Sequence, residues 1–306
     1  MVFYIGKRIL GMVPTLIIVV VLVFFFMRLI PGDPARMLAG KQATLEDVNN
    51  MRATLGLDKS VPVQFREYIL QILHGDLGMS LRTKRPVSYE ISLRYGNTLI
   101  LAVTSLVWST IVGILIGIWS ARHQNKWQDY VGMTVSVSGI SLPTFWVGFI
   151  LISIFAVKLR ILPSTGAGSL KSLVLPSFTM GLGIAAVVGR FTRSSLLETL
   201  QEDYIRTARA KGSTEGRVLF RHALRNSMIS VITIIGMEFG SMMGGAVITE
   251  TVFAYPGIGA LMVQAVTDRD YPMVQSLVLI FSLVFMLVNL LIDVLYSILN
   301  PSIRLE

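Results

Sequence analysis

The chain has 306 residues, 53% of them hydrophobic and only 15% charged, with a mean hydropathy of +0.67. A soluble domain carries roughly a quarter of its residues as charges, so this shortfall points away from an ordinary water-soluble fold. There is no cysteine, which excludes disulfides, thiolate metal sites and a cysteine nucleophile, and the formal charge of +9 gains meaning only from where it lies.

Apolar runs of about 20 residues, the length that crosses roughly 30 Å of hydrocarbon, predict an all-α polytopic membrane protein. Six transmembrane helices are expected, at 9–30, 97–121, 131–157, 173–189, 228–250 and 273–299. The first follows Lys7 and Arg8, as a signal peptide would, but its run is too long for an h-region. The segment from Arg28 to Pro34 offers no small-residue cleavage site, so an uncleaved anchor is expected. Arg28, at the outer end, is expected to snorkel toward the interface. Pro14, Pro143 and Pro176 fall inside or near spans, where neighbouring helices can satisfy the carbonyls they free.

Segment 31–96 reads as a small external helical subdomain between the first span (1–30) and a five-helix core (97–306). Thr44 is placed to cap a helix carrying Glu46 and Asp47 in its first turn, with Leu45, Val48, Met51 and Leu55 at helical spacing and Gly56 as its stop. A second helix is predicted from Val63 to Leu73, ending at Gly75, and a third from Pro86 to Tyr95. Two roles stay open for this unit: a lid packed on the membrane domain, or a docking surface for an external partner.

The orientation follows from the bases in short loops. One side holds Lys7, Arg8, Arg122, Lys126, Arg304 and the basic residues from Arg190 to Arg225, against Lys158, Arg160, Lys171 and Arg269 on the other. Both termini are therefore expected in the cytoplasm. The positive balance is the signature of membrane orientation in a lipid bilayer, and no nucleic-acid partner is expected.

The longest cytoplasmic loop, 190–226, lacks linker composition. Leu196, Leu197 and Leu200 extend the fourth span, and 202–211 forms a short helix with acids first and bases last, matching its dipole. Gly212 breaks it, Ser213 or Thr214 caps a new helix, and Val218, Leu219 and Leu224 lead that helix toward the fifth span. Ala208 and Ala210 leave a flat surface suited to a groove on another protein. The competing reading is an interfacial helix lying on anionic lipid.

In the fifth span Gly236, Gly240 and Gly244 stand at four-residue spacing, which lets a helix approach closely, either within this subunit or across a pore interface. Glu238, at membrane depth, faces either a water-filled path or a hydrogen-bonding neighbour helix. Glu250 lies near the outer end of the same span, and Asp293 in the last span is expected to pair with a cytoplasmic base. After the fifth span, Phe253, Pro256, Gly257 and Gly259 make a turn, and Leu261, Met262 and Val266 give an amphipathic external helix. That helix reads as an outer gate or as a re-entrant packing element. His74, His123 and His222 have no ligand spacing, and no metal or cofactor site is expected.

The loop Glu202-Asp203-Tyr204-Ile205-Arg206-Thr207-Ala208-Arg209-Ala210-Lys211-Gly212, followed by Arg221-His222-Ala223-Leu224-Arg225-Asn226, resembles the loop of ABC importer permeases. Arg206, His222 and Arg225 depart from the general pattern and are similar to the dipeptide/oligopeptide (peptide/nickel) branch. The resemblance continues through Leu29-Ile30-Pro31-Gly32-Asp33-Pro34, Gly75-Asp76-Leu77-Gly78, Val252-Phe253, Pro256-Gly257-Ile258-Gly259, Asp270-Tyr271-Pro272 and Asn300-Pro301-Ser302-Ile303-Arg304. It covers nearly the whole chain, and glutathione-importer permeases are especially similar.

That resemblance implies a type I importer-like permease, working by alternating access, with a homologous second permease, two cytoplasmic ATPase subunits and an external solute-binding protein. ATP would be bound by those partner subunits. It also implies that Tyr204, Arg206, Thr207, Ala208, Ala210, Lys211, Gly212, His222, Leu224 and Arg225 couple the pore to the ATPase. The cargo implied is a dipeptide, an oligopeptide, glutathione or chelated nickel. An ion-coupled secondary transporter would need internal repeats and several intramembrane charges, whereas the chain shows no convincing repeat and few buried charges. A membrane enzyme would need a phosphate-binding loop, a zinc motif or a nucleophile cluster, also not found.

Overall fold

The computed structural model describes residues 2–29, 33–40 and 42–299. Ile30, Pro31 and Gly32, and the ending from Asn300 to Arg304, lie outside them. Among the described residues the regular secondary structure is helical, with one isolated antiparallel bridge, Met79 to Pro86, in the loops. The helices are α1 Val2–Leu29, α2 Pro34–Ala39, α3 Leu45–Thr54, α4 Val61–Leu73, α5 Val87–Arg122, α6 Trp127–Ser141, α7 Thr144–Leu151, α8 Leu170–Thr199, α9 Asp203–Ala210, α10 Glu215–Arg217, α11 Leu224–Val252, α12 Ile258–Thr267 and α13 Tyr271–Leu299. Five are long and apolar enough to cross a membrane, and α6 with α7 makes a sixth span if the bent pair is taken as one.

The expected third span, 131–157, is broken within this pair. Leu142 is held in extended backbone (φ −82°, ψ 129°) before Pro143, because a proline ring clashes with a helical residue in front of it. The two halves meet at 102°. Beyond α7 the helix widens into π turns over Ile152–Lys158.

The closest helix contact is α5 on α8, two parallel helices joined through small residues. A Cβ on Gly113 would stand 2.7 Å from the Ala185 carbonyl, and one on Gly117 would stand 2.5 Å from Thr192 Cβ. In lipid there is no hydrophobic gain from joining two apolar helices, so close van der Waals contact between small residues takes its place. Trp108 Nε1 donates to the Ser177 carbonyl at 3.0 Å and its ring lies stacked on Phe178. The main core, with Leu101, Ile184, Val188, Val231, Met242 and Phe253, fills the space between α5, α8 and α11. Outward, α1 exposes Leu10, Ile17, Phe26 and Leu29, a surface suited to lipid rather than water.

The outer side is built from the segments around α2, α3 and α4. Thr44 and Asp47 form a complete capping box on α3, and those hydrogen bonds hold the Asp47 carboxyl below its usual range. Helix α4 docks on the end of α1 through Phe24, Phe65 and Tyr68, with ring centroids 5.0 and 5.6 Å apart. Burial there pushes the Tyr68 phenol up to about 12, against the opposing pull of Arg28. Arg28 donates to the Phe24 carbonyl at 2.8 Å and to Gln64 Oε1 at 2.5 Å, and so fastens α4 to α1.

The expected third external helix, Pro86 to Tyr95, is not separate. It is the first part of α5, which runs without interruption into the membrane. The segments Gly75–Gly78 and Asp270–Pro272 meet in space. Asp270 accepts from Ser80 Oγ at 2.5 Å and from the Met273 N–H at 3.3 Å, capping α13, while Ser276 Oγ donates to the Leu77 carbonyl. At the opposite side, Arg8 pairs with Asp293 at 3.1 Å, so the expected partner of Asp293 is the base at the start of α1.

Candidate functional site

The loop between α8 and α11 folds as its composition suggests. Helix α9 ends on Gly212 (φ +82°), whose N–H bonds the Arg209 carbonyl while the Ser213 N–H bonds that of Ala208. This is a Schellman end, which needs a residue at ease in left-handed backbone. The chain then enters α10 and passes through a π turn, Val218–Ala223, into α11. One residue of α9, Ile205, is fully buried, against Ala121, Leu196, Val218, Leu219 and Ala223. A single apolar peg thus seats an otherwise exposed helix on the ends of α5, α8 and α11.

Two contacts stiffen that seat. Asn226 Nδ2 donates to the Tyr204 hydroxyl at 2.7 Å, and Arg209 spans the glycine turn to Glu215 at 2.8 Å. The Glu215 carboxylate raises the Arg209 guanidinium above its usual value. Arg206 pairs with Asp203 at 3.3 Å inside α9, and the Thr207 hydroxyl donates to the Asp203 carbonyl. Lys211, Arg217, Arg221 and Arg225 make no salt bridge among the described residues. Ala210, Lys211 and Gly212 are exposed, Ala208 is half-buried, and His222 and Leu224 lie half-buried on the neighbouring turns. The structure therefore brings most of the predicted loop residues to one end of the molecule, with Leu224 packed beneath them rather than presented.

Sequence reasoning missed the ion pair that braces this end. Arg193 on α8 holds Asp129 on α6 in two hydrogen bonds of 2.6 and 2.7 Å, and the Asn125 N–H donates to the same carboxylate at 3.1 Å. The two residues are 64 apart in sequence, so periodicity gives no hint of it.

The fifth-span glycines divide. Gly236 packs against Ile292 and Gly240 against Phe285, both on α13, whereas Gly244 has nothing among the described residues within 4 Å of a would-be Cβ. Gly244 opens instead on a groove of about 540 Å³ shared with Thr15, Val19, Val247 and Phe285. Glu238 faces away from α13, into a cleft of about 250 Å³ between the α6–α7 bend, α8 and α11. Ser241 is its hydrogen-bond partner, at 3.4 Å.

The turn after α11 is a fastened element rather than a loose flap. Phe253 is fully buried in the main core, and Pro256 is exposed with its carbonyl accepting from Asn97 Nδ2 at 2.8 Å. Gly257 and Gly259 lie against Glu250, where a Cβ would stand 2.1 Å from Oε1 and 2.9 Å from Oε2 respectively. Glu250 is fully buried, accepting from Thr98 Oγ1 at 2.6 Å and from the Ala260 N–H at 2.9 Å. A carboxylate seated on the first amides of α12 is well placed against that helix's positive end.

Comparison with known proteins gives these features their setting. Residues 113–305 match the family described as the inner membrane component of binding-protein-dependent transport systems, and residues 1–102 match its N-terminal companion. The glutathione transport system permease protein GsiC of Pectobacterium atrosepticum is 51% identical over 301 residues, spanning 98% of each chain. Its counterparts in Salmonella typhi and Escherichia coli K12 are 50% and 49% identical over the same length.

Among solved structures, the inward-facing MetNI methionine ABC transporter aligns with a TM-score of 0.60 at 15% identity, covering 70% of this chain and 97% of that one. An amino acid ABC transporter aligns at 0.57 and 14%, covering 69% and 94%. Both likenesses show the fold. The family match and the permease relatives, rather than the fold, set aside a lone secondary transporter and a membrane enzyme. The chain belongs to the inner membrane components of binding-protein-dependent transport systems: it is a multi-pass permease subunit of an ABC importer of the bacterial inner membrane, which works with ATPase and substrate-binding partners.

Proposed function

We propose that this permease forms one half of a heterodimeric pore that imports a small peptide of the glutathione class, with ATP bound and hydrolysed on separate subunits. The observation that carries the cargo reading is about 50% identity, over 98% of both chains, to permeases named for glutathione transport. The coupling handle is α9 with its Gly212 turn, including Tyr204, Arg206, Thr207, Ala208, Ala210, Lys211, His222 and Arg225. Its support is an exposed surface pinned by one buried residue, Ile205, to the ends of three long helices. A push on such a helix reaches α5, α8 and α11 together, which is what alternating access requires of a lever.

A second, homologous permease covers the face bearing the Glu238 cleft, and an external solute-binding protein delivers cargo to the opposite side from α9. Phe253, Pro256, Gly257 and Gly259 then form the rigid rim of the outer mouth. The test is ATP-driven uptake by the assembled transporter in proteoliposomes, with its binding protein outside, using glutathione, a dipeptide and a nickel chelate as separate cargoes. Saturable, ATP-dependent glutathione uptake is expected. Uptake of the dipeptide or the chelate in its place would move the cargo assignment within the family.

A further inference from the structure

Glu238 is the middle residue of α11, Leu224–Val252. At 1.5 Å per residue it is about 21 Å from either end of the helix. A carboxylate at that depth is expensive in hydrocarbon, so its face of the subunit must meet protein or a water-filled path. The cleft it enters is lined by Gly139, Leu142, Thr144, Thr179 and Ser241, and no Lys, Arg or His pairs with it among the described residues. The opposite wall is the broken span. Pro143 supplies no N–H to the carbonyl of Gly139 four residues before it, while the Trp146 and Val147 N–H of α7 bond the Pro143 carbonyl. Unwound backbone at membrane depth is tolerated only where it is buried in protein or lines a watery cavity. Three independent features therefore converge on one place: an anionic side chain without a cation, hydroxyls of Thr144, Thr179 and Ser241, and a helix break at the level of mid-span.

We propose that this cleft is a cargo subsite that takes a primary ammonium group, with the Glu238 carboxylate as its counter-ion and the hydroxyl oxygens and the freed Gly139 carbonyl beside it as hydrogen-bond acceptors. Of the reading above, the proposal uses only that the cargo carries an amine. A base from the second permease is the rival source of neutralising charge, and the experiment separates the two.

The absence of native cysteine makes the test direct. Thr144→Cys in the assembled transporter places a thiol on the cleft wall, and its labelling is read as mass added to this subunit. A trimethylammonium thiosulfonate should react about tenfold faster than a sulfonate of similar size, the scale of attraction to one unit charge in a partly aqueous site. Adding Glu238→Gln should remove that preference, while Glu238→Asp should keep it and so control for misfolding. No labelling, equal rates for the two reagents, or a preference that survives Glu238→Gln would each overturn the proposal, equal rates being the mark of a cleft already neutralised by the partner permease. In a separate arm, millimolar S-methylglutathione, which has no thiol to consume the reagent, should slow the labelling and its N-acetyl form should not. Charge preference without protection by S-methylglutathione would leave the ammonium subsite standing and reject the cargo.

Discussion

The Thr98 hydroxyl on α5 donates to Glu250 on α11 at 2.6 Å, and the same hydroxyl oxygen accepts from the Ile258 N–H of α12 at 2.9 Å. Three helices are thus tied at one fully buried point, and Gly257 and Gly259 leave room for the carboxylate between them. Thr98→Val keeps the shape and strips both bonds, leaving a buried acceptor and a buried N–H exposed to each other's loss. A destabilisation of about 1–3 kcal/mol is expected. Gly259→Ala should be at least as damaging, because its Cβ would stand 2.7 Å from the Val247 Cα, a backbone atom that cannot swing aside. The midpoint of thermal unfolding of the detergent-solubilised transporter reports both.

The Asp129–Arg193 pair makes a different prediction. Asp129 is nearly buried and Arg193 about a quarter exposed. Removing only the arginine leaves an uncompensated carboxylate, so Arg193→Met should cost roughly 3 kcal/mol, near the lower end for buried pairs. Asp129→Leu combined with Arg193→Met should recover much of that loss. Additive losses in a double-mutant cycle on the same unfolding signal would show that the pair does not act as a unit.

At Gly212 the argument is conformational rather than steric. Nothing lies within 4 Å of a would-be Cβ, but φ is +82°, where a β-branched residue is strained by roughly 1–2 kcal/mol. Gly212→Val should unseat the end of α9 and abolish ATP-driven uptake with membrane insertion intact. Gly212→Asn, better suited to left-handed backbone, should retain most of it. Normal uptake by the valine variant would sink the lever role.

These cases also mark what was readable beforehand. Thr44 with Asp47, and Gly212 after Ala210, are local signals whose geometry is decided within a few residues, and both elements form as their sequence suggests. The break at Leu142–Pro143 was not readable, since many membrane helices keep a proline and only packing decides whether the helix continues. Gly113 and Gly117 carried a small-residue signal at four-residue spacing as clear as that of Gly236 and Gly240, yet it is they that seat α5 on α8. The cage around Glu250 joins residues 98, 250, 258 and 260, a contact that only the folded chain brings together.

Tyr68 supplies the pH dependence. Its phenol ionises near 10 in an unfolded chain and is pushed up to about 12 where it packs on Phe24. A raised pKa means the folded state holds the proton more tightly. The stabilisation it contributes is therefore full below pH 10 and is lost as pH rises through 12. Tyr68→Phe should reduce the late rise of a tyrosinate absorbance titration by one phenol. A late rise of unchanged size in the variant would belong to other tyrosines.

Gly244 gives the last prediction, because it separates packing within the subunit from packing between subunits. Gly236→Leu must displace Ile292, since even a Cβ would come within 2.7 Å of it, and should lower the stability of the subunit itself by about 1–3 kcal/mol. At Gly244 a leucine meets open space among the described residues, and it fills part of the groove shared with Val19 and Phe285. If that groove receives a helix of the second permease, Gly244→Leu should leave the isolated subunit's unfolding midpoint unchanged and weaken co-purification of its partner. An assembled transporter of normal yield and activity would mean that the groove faces lipid, where a further apolar side chain is tolerated at no cost.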